Sequence, residues 1–214
     1  SNITQVRDLP PNLSGNGVKV AVREIGNPSA HQDFNSRLTR IDTDGIMLGS
    51  EVDHSTAVVG QIGSAGIVAP SAKGVATAVA MLLFSLVDSS FGTTDIINAA
   101  GQGARISNHS YGPNVIAWGD YQTTSSDWDQ ALRDNNILAT FAGNEELGQT
   151  FKHIDYFVGA KNTICVGATN STARAGPPPA DGIAWFSQWG PMNDGRVKPD
   201  LVAFCEGATL CNGA

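Results

Sequence analysis

The sequence predicts an α/β fold: three layers, with a mostly parallel central sheet and helices on both faces. Three observations predict it. The chain has 214 residues, enough to bury one substantial core. Hydrophobic residues make up 41% and charged residues 15%, a globular balance with a lean surface. Short apolar, β-branched runs alternate with helix-forming stretches, which is the pattern of strand–crossover–strand units. No internal repeat and no linker composition interrupts the chain, so residues 1–214 are expected to form a single domain.

The elements follow in order. Pro10-Pro11 and Ser14-Gly15-Asn16-Gly17 make a polar, turn-rich lead-in. Val18 to Val22 reads as a short buried strand, broken by Gly26-Asn27-Pro28-Ser29. His54 to Gly63 has the small, apolar composition of a helix packed inside a protein, with Asp53 placed to cap it. Val75 to Leu83 is β-branched and alanine-rich, and is read as a strand to about Met81. Thr93-Thr94-Asp95 opens a helix through Ala100, its acid at the positive end of the dipole. Arg105 to Asn108 is a strand. Ser125-Ser126-Asp127 caps a helix through Arg133 that Asn135-Asn136 ends. Ile137 to Ala142 and Thr163 to Gly167 are further strands, and Gly176-Pro177-Pro178-Pro179 is a surface loop.

Charge and composition exclude several function classes. A net charge of −7 offers no basic face for phosphates, so no nucleic acid partner is expected. The longest apolar run, around Ala76 to Val87, is interrupted by Thr77 and Ser85, and no membrane partner is expected. Gly15-Asn16-Gly17 precedes the first strand, whereas a nucleotide phosphate cradle follows a strand and opens a helix. His31, His54, His109 and His153 lack the spacing of a zinc site. Cys165 reads as a small buried apolar residue. Cys205 and Cys211 are close enough to bridge within one loop, and both the bridged and the free forms are open.

Sites in open parallel sheets form beyond the carboxyl ends of the strands. Glu24 sits at such an end, Asn144 follows the strand Ile137 to Ala142, and Ser110-Tyr111-Gly112 follows the strand containing Ile106. His54 comes from a helix start. Taken singly, each has a bland reading: a solvated Glu, an Asn in a turn, a His capping a helix. Their joint occurrence in this order is what points to a site.

These segments resemble those of the subtilisin-like serine proteases, over nearly the whole chain. Glu24, Gly26 and His31-Gln32-Asp33 look like the family's strand ending in Asp, then Gly, then His-Pro-Asp. Asp53 to Gly60 resembles the His-Gly-Thr-His-Val-Ala-Gly signature, followed by Val68-Ala69-Pro70. Ile106 to Gly112 resembles the substrate-lining strand, and Ala142-Gly143-Asn144-Glu145 the oxyanion segment. Phe186 to Pro191 and Asp194 to Ala203 resemble the stretch just before the family's Gly-Thr-Ser, and are the most specific match.

The resemblance implies a secreted or otherwise extracytoplasmic serine endopeptidase acting on a peptide or protein substrate. A serine hydroxyl needs a base to take its proton, and a carboxylate to orient that base. His54 is implied as base, Glu24 as orienting acid, and Asn144 as oxyanion donor. Ser110, Tyr111 and Gly112 are implied to pair with an extended peptide, with Tyr111 flooring the pocket. No Gly-Thr-Ser occurs before Ala214. The serine is therefore expected from a C-terminal remainder of the same protein, and the 214-residue chain alone is expected to be inactive. No cofactor is implied, and structural calcium stays open with no site identified. The segment from Gly63 to Ile67 is too short for the calcium-holding insertion of many relatives, and no other calcium or metal site is identifiable.

The chain departs from the pattern at Glu24, where the family has Asp, and at Ser55 and Ala57, where it has Gly and a second His. Asp33 and Asp53 are candidate substitutes for the acid; Asp33 is better placed to tie a loop. These departures define the alternative reading, a catalytically inactive peptide-binding or structural relative.

Overall fold

The structure is a computed structural model that describes residues 9, 12–42, 50–86, 92–112, 118–143, 151–169 and 182–204. Its strands are β1 (Lys19–Ile25), β2 (Leu38–Arg40), β3 (Ala80–Leu86), β4 (Ile106–His109), β5 (Leu138–Ala142), β6 (Thr163–Thr169) and β7 (Leu201–Phe204). Its helices are α1 (Ser50–Gly63), α2 (Thr94–Gly101) and α3 (Thr123–Asn135). The strand order is β2-β3-β1-β4-β5-β6-β7, and the pairs β1–β3, β2–β3, β5–β6 and β6–β7 are parallel. The expected mostly parallel α/β sheet is thus what forms.

Two compact units divide the described chain, and the division falls within β4. The first holds β1, β2, β3, α1 and the start of β4. Its core is Val20, Val22, Phe34, Val59, Val79, Met81 and Leu83, with Leu38, Val58, Ile62 and Ala76 packed against it. In β1, Val20 to Glu24 are all buried, as in a strand covered on both faces, which is why Val20-Ala21-Val22 reads as an unbroken apolar run rather than an alternation. β1 runs three residues past Val22, because Arg23, Glu24 and Ile25 keep register with Phe84, Ser85 and Leu86.

Helix α1 begins at Ser50, earlier than the sequence suggested. Glu51 and Asp53 lie in its first turn, where acids favour the positive end of the dipole, so Asp53 is inside the helix rather than at its cap. The strand expected from Val75 to Met81 is displaced to Ala80–Leu86. Gly74, Val75 and Ala76 donate their N–H groups to Ser64, Gln61 and Ile62 carbonyls, closing the C-terminal end of α1. A Cβ at Gly74 would stand 2.6 Å from the Gly60 carbonyl oxygen, so only glycine allows this approach.

The second unit holds the end of β4, then β5, β6, β7 and α3. Its core is aromatic. Phe141 of β5 stacks on His109 at 4.2 Å and meets Trp128 of α3 edge-on at 5.0 Å and Phe157 at 5.4 Å. Helix α3 starts at Thr123, two residues before the expected Ser125. Gln122 is the cap, and the Ser125 side chain reaches back to its N–H, a reciprocal capping box. Asn136 ends the helix in the left-handed region, at φ 51°.

Among the described residues, one face of β5 and β6 is less buried than the other. Ala139, Phe141, Thr163 and Cys165 are buried, whereas Thr140, Ala142, Ile164 and Val166 are half-buried and Leu138 is 47% exposed. In register with Val166, Leu201 of β7 is also exposed. Val20 and Ile137 are buried. Val20 belongs to the first unit's core, and Ile137 follows α3 directly, bonding its N–H to the Leu132 carbonyl. The segment Gly176 to Pro179 lies outside the described residues, as do Cys205 and Cys211. Cys165 is free and fully buried, and burial pushes its thiol up to about 12.

Candidate active site

In the first unit, Glu24 and His54 meet. Glu24 lies near the carboxyl end of β1 and is fully buried; His54 lies in the first part of α1 with its side chain 51% exposed. The imidazole Nδ1 stands 3.2 Å from the Glu24 carboxylate Oε2. Contact at hydrogen-bonding distance with Glu24 raises the His54 pKa above its usual 6.5, burial opposes it, and the Glu24 charge adds to the rise. With Nδ1 turned to a buried acid, Nε2 is the nitrogen available to exchange a proton with another group. The longer Glu side chain thus reaches the imidazole.

The position of α1 over this end of β1 has an identifiable tie. Thr56, fully buried, accepts the N–H of Ser29 on its hydroxyl at 2.8 Å and donates to the Val52 carbonyl at 2.6 Å. Ser29 belongs to the loop that leaves β1. The hydroxyl of a residue two positions from His54 therefore anchors the helix to the strand that carries Glu24. Sequence reading did not single out Thr56; its place inside the His54-to-Gly60 segment was the available signal.

Asp33 does not stand in for Glu24 as the acid beside His54. Its buried carboxylate accepts the N–H groups of Ile67 at 2.7 Å and Val68 at 3.1 Å and the Ser64 hydroxyl at 2.8 Å. Burial tends to raise its pKa, but the bonds from Ser64, Val68 and Ile67, with His31 nearby, bring it below the usual value. Asp33 ties the loop after α1, as expected. Asp53 is exposed on α1.

In the second unit, Ser110, Tyr111 and Gly112 continue from the end of β4. Asn108 Nδ2 donates to the Ser110 hydroxyl at 2.9 Å. The Tyr111 ring turns inward, its hydroxyl 2.8 Å from His109 Nδ1 and its face stacked towards Phe157. The ring thus packs with the aromatic core around His109 and Phe157. Gly112 is exposed. At the end of β5, the Gly143 N–H donates to the Val166 carbonyl at 2.8 Å, and its carbonyl accepts the Gln188 N–H at 2.9 Å. Asn144 lies outside the described residues.

The Lys198-Pro199-Asp200 segment locks β7 to β6. Asp200 accepts the Cys165 N–H at 2.7 Å and the Lys198 ammonium at 2.6 Å, and that ammonium also donates to the Thr163 carbonyl at 2.8 Å. Among the described residues, no three His, Cys, Asp or Glu side chains cluster as a metal site requires.

Solved structures resemble the chain. The prenylagaramide maturation protease PagA matches at a TM-score of 0.60 and 22% identity, over 87% of this chain and 61% of that one. The patellamide maturation protease PatA matches at 0.58 and 20%, over 89% of this chain and 66% of that one. A cold-adapted subtilisin-like serine proteinase matches at 0.55 and 25%, over 90% of this chain and 64% of that one. The chain thus spans less than two thirds of the length of PagA. No curated protein matches it in sequence. The subtilase family model matches residues 15–213, and the chain belongs to that family as a subtilisin-like protease domain.

Proposed function

We propose that this chain is the acid- and base-bearing portion of a secreted serine endopeptidase. The observation that carries the reading is the pair formed by a fully buried Glu24 and a half-exposed His54 at 3.2 Å. A carboxylate withdrawn from water and aimed at one imidazole nitrogen sets the tautomer and stabilises the imidazolium. His54 takes the proton of the serine hydroxyl as it attacks the peptide carbonyl, then passes it to the leaving amine. Glu24 orients it. Asn144 donates to the oxyanion, and the backbone of Ser110, Tyr111 and Gly112 pairs with the extended peptide. The serine comes from the C-terminal remainder of the protein. The less buried face of β5 and β6, with Leu138 47% exposed and Ile164 and Val166 half-buried, supports such a remainder, because apolar strand faces are stable when covered.

A fluorophosphonate probe tests the reading, since it labels only an activated serine. The complete protein is expected to label and to hydrolyse peptides, His54→Ala is expected to abolish both, and the 214-residue chain alone is expected to do neither. A complete protein that binds peptides without labelling would establish the alternative, a subtilase-like binding domain.

A further inference from the structure

We propose that Asp33 is a positioning residue for the Glu24–His54 pair: with Thr56 it clamps helix α1 at two points to the segment Ser29–Asp33, which leaves the strand carrying Glu24. The inference rests on the reading of His54 as the base. The His54 side chain is 51% exposed, so its reach to the Glu24 carboxylate depends on where α1 itself lies.

The first point of the clamp is Thr56, whose hydroxyl accepts the Ser29 N–H at 2.8 Å. The second lies just beyond Gly63, where α1 ends and the chain closes on Asp33. Both carboxylate oxygens take part. Oδ1 accepts the N–H groups of Ile67 at 2.7 Å and Val68 at 3.1 Å, and Oδ2 accepts the Ser64 hydroxyl at 2.8 Å. The Asp33 carbonyl accepts the Ala65 N–H at 3.1 Å and a bond from the Arg37 guanidinium, which also donates to the Val79 carbonyl at 3.2 Å. Phe34, next in the chain, lies in the core with Val20, Val22 and Val59, so the anchoring segment is itself fixed.

The two points sit close together on that segment but about two helical turns apart along the direction of α1. Either tie alone leaves the helix able to pivot about it. Both together fix its rotation and its shift along its axis, and with them the place of His54 over Glu24. Burial opposes ionisation of Asp33, but the bonds from Ser64, Val68 and Ile67 bring its pKa below the usual value. The acceptor therefore stays charged wherever His54 titrates, and charged acceptors make the stronger bonds.

The test titrates the His54 imidazole by NMR in the complete protein. Asp33→Ala removes the second point of the clamp, and the His54 pKa is expected to fall at least halfway from its raised value towards 6.5. Asp33→Asn removes the charge but keeps an oxygen for the Ile67 and Val68 N–H groups and an amide to donate to Ser64, and is expected to retain most of the rise. Ser64→Ala removes one bond without changing charge; a smaller fall in the same direction is expected, and it decides the matter where Asp33→Ala does not fold. A folded variant that melts earlier with an unchanged His54 pKa overturns the proposal, because Asp33 then ties only its own loop. Equal falls in Asp33→Asn and Asp33→Ala also overturn it, because loss of charge rather than of the clamp then accounts for them. In an active protein Asp33→Ala is expected to lower kcat by about tenfold with KM little changed, and a loss confined to KM overturns the proposal. If the complete protein does not label with the fluorophosphonate probe, the protease reading fails, and the titration alone decides the role of Asp33.

Discussion

At the scale of single residues, the buried carboxylate of Glu24 and the half-exposed imidazole of His54 form an asymmetric pair, one partner dry and the other wet. Such a pair holds its proton on the imidazole over a wider pH range than a free histidine does. Glu24→Gln is expected to bring the His54 pKa down towards 6.5, read by NMR titration of the imidazole. The linkage sign follows from the rise. The pair stabilises the fold fully below the unfolded value of 6.5 and loses that contribution as pH climbs through the raised folded value. Glu24→Gln should therefore flatten the pH dependence of the melting temperature over that interval. In a complete active protein the same substitution shifts the acid limb of the pH–rate profile to lower pH, because His54 works as a base only when neutral. Thr56 acts at the same scale by a different route. Thr56→Val keeps the shape and strips the acceptor from the Ser29 N–H, which should cost about 1–3 kcal/mol by chemical denaturation. It should also disturb the His54 titration, since the tie between α1 and the β1 loop is what it removes.

At the scale of elements, the ends carry most of the information. The first unit's α1 is closed by backbone bonds from Gly74, Val75 and Ala76, and α3 is closed by a left-handed Asn136. Asn136→Ala should destabilise by about 1 kcal/mol, because a Cβ without a local hydrogen-bonding group is strained at positive φ. Asn136→Gly should be neutral or better, and the pair of thermal melts separates backbone strain from loss of the side chain. Element identity was legible wherever a run was long and its chemistry uniform. β1, β4, β5, β6 and the three helices among the described residues stand close to their expected places. The misplacement of β3 has a physical cause: Val75 and Ala76 have the composition of a strand, but their N–H groups are spent on the end of α1. The three-residue β2 carries too few residues to show any period, and only pairing with Met81, Leu82 and Leu83 defines it.

At the scale of the molecule, each unit buries its own core, aliphatic in the first and aromatic in the second, yet in the second, among the described residues, one strand face is less buried than the other. A partly exposed strand face carrying Leu138 and Leu201 is an opportunity for association. If the remainder of the protein covers this face, adding it in trans should raise the melting temperature of the chain by mass action and slow hydrogen exchange in β5 and β6. Leu138→Ser should change the stability of the isolated chain by no more than about 0.5 kcal/mol, as an exposed position does, and should weaken that association. Unchanged exchange in β5 and β6 on adding the remainder would mean that it binds elsewhere or not at all.

The sequence by itself determined the class of fold, the order of its main elements, and the residues at the strand ends from which a site is assembled. Local composition, turn residues and apolar runs are properties of neighbours along the chain, and they survive without knowledge of the packing. Only the tertiary structure decided that Glu24 reaches His54, that Thr56 ties α1 to the loop leaving β1, and that Tyr111 faces inward. Each of these depends on which side of an element a residue faces and on what lies across the gap. Those distances are set by packing between segments far apart in the chain, so no pattern within either segment encodes them.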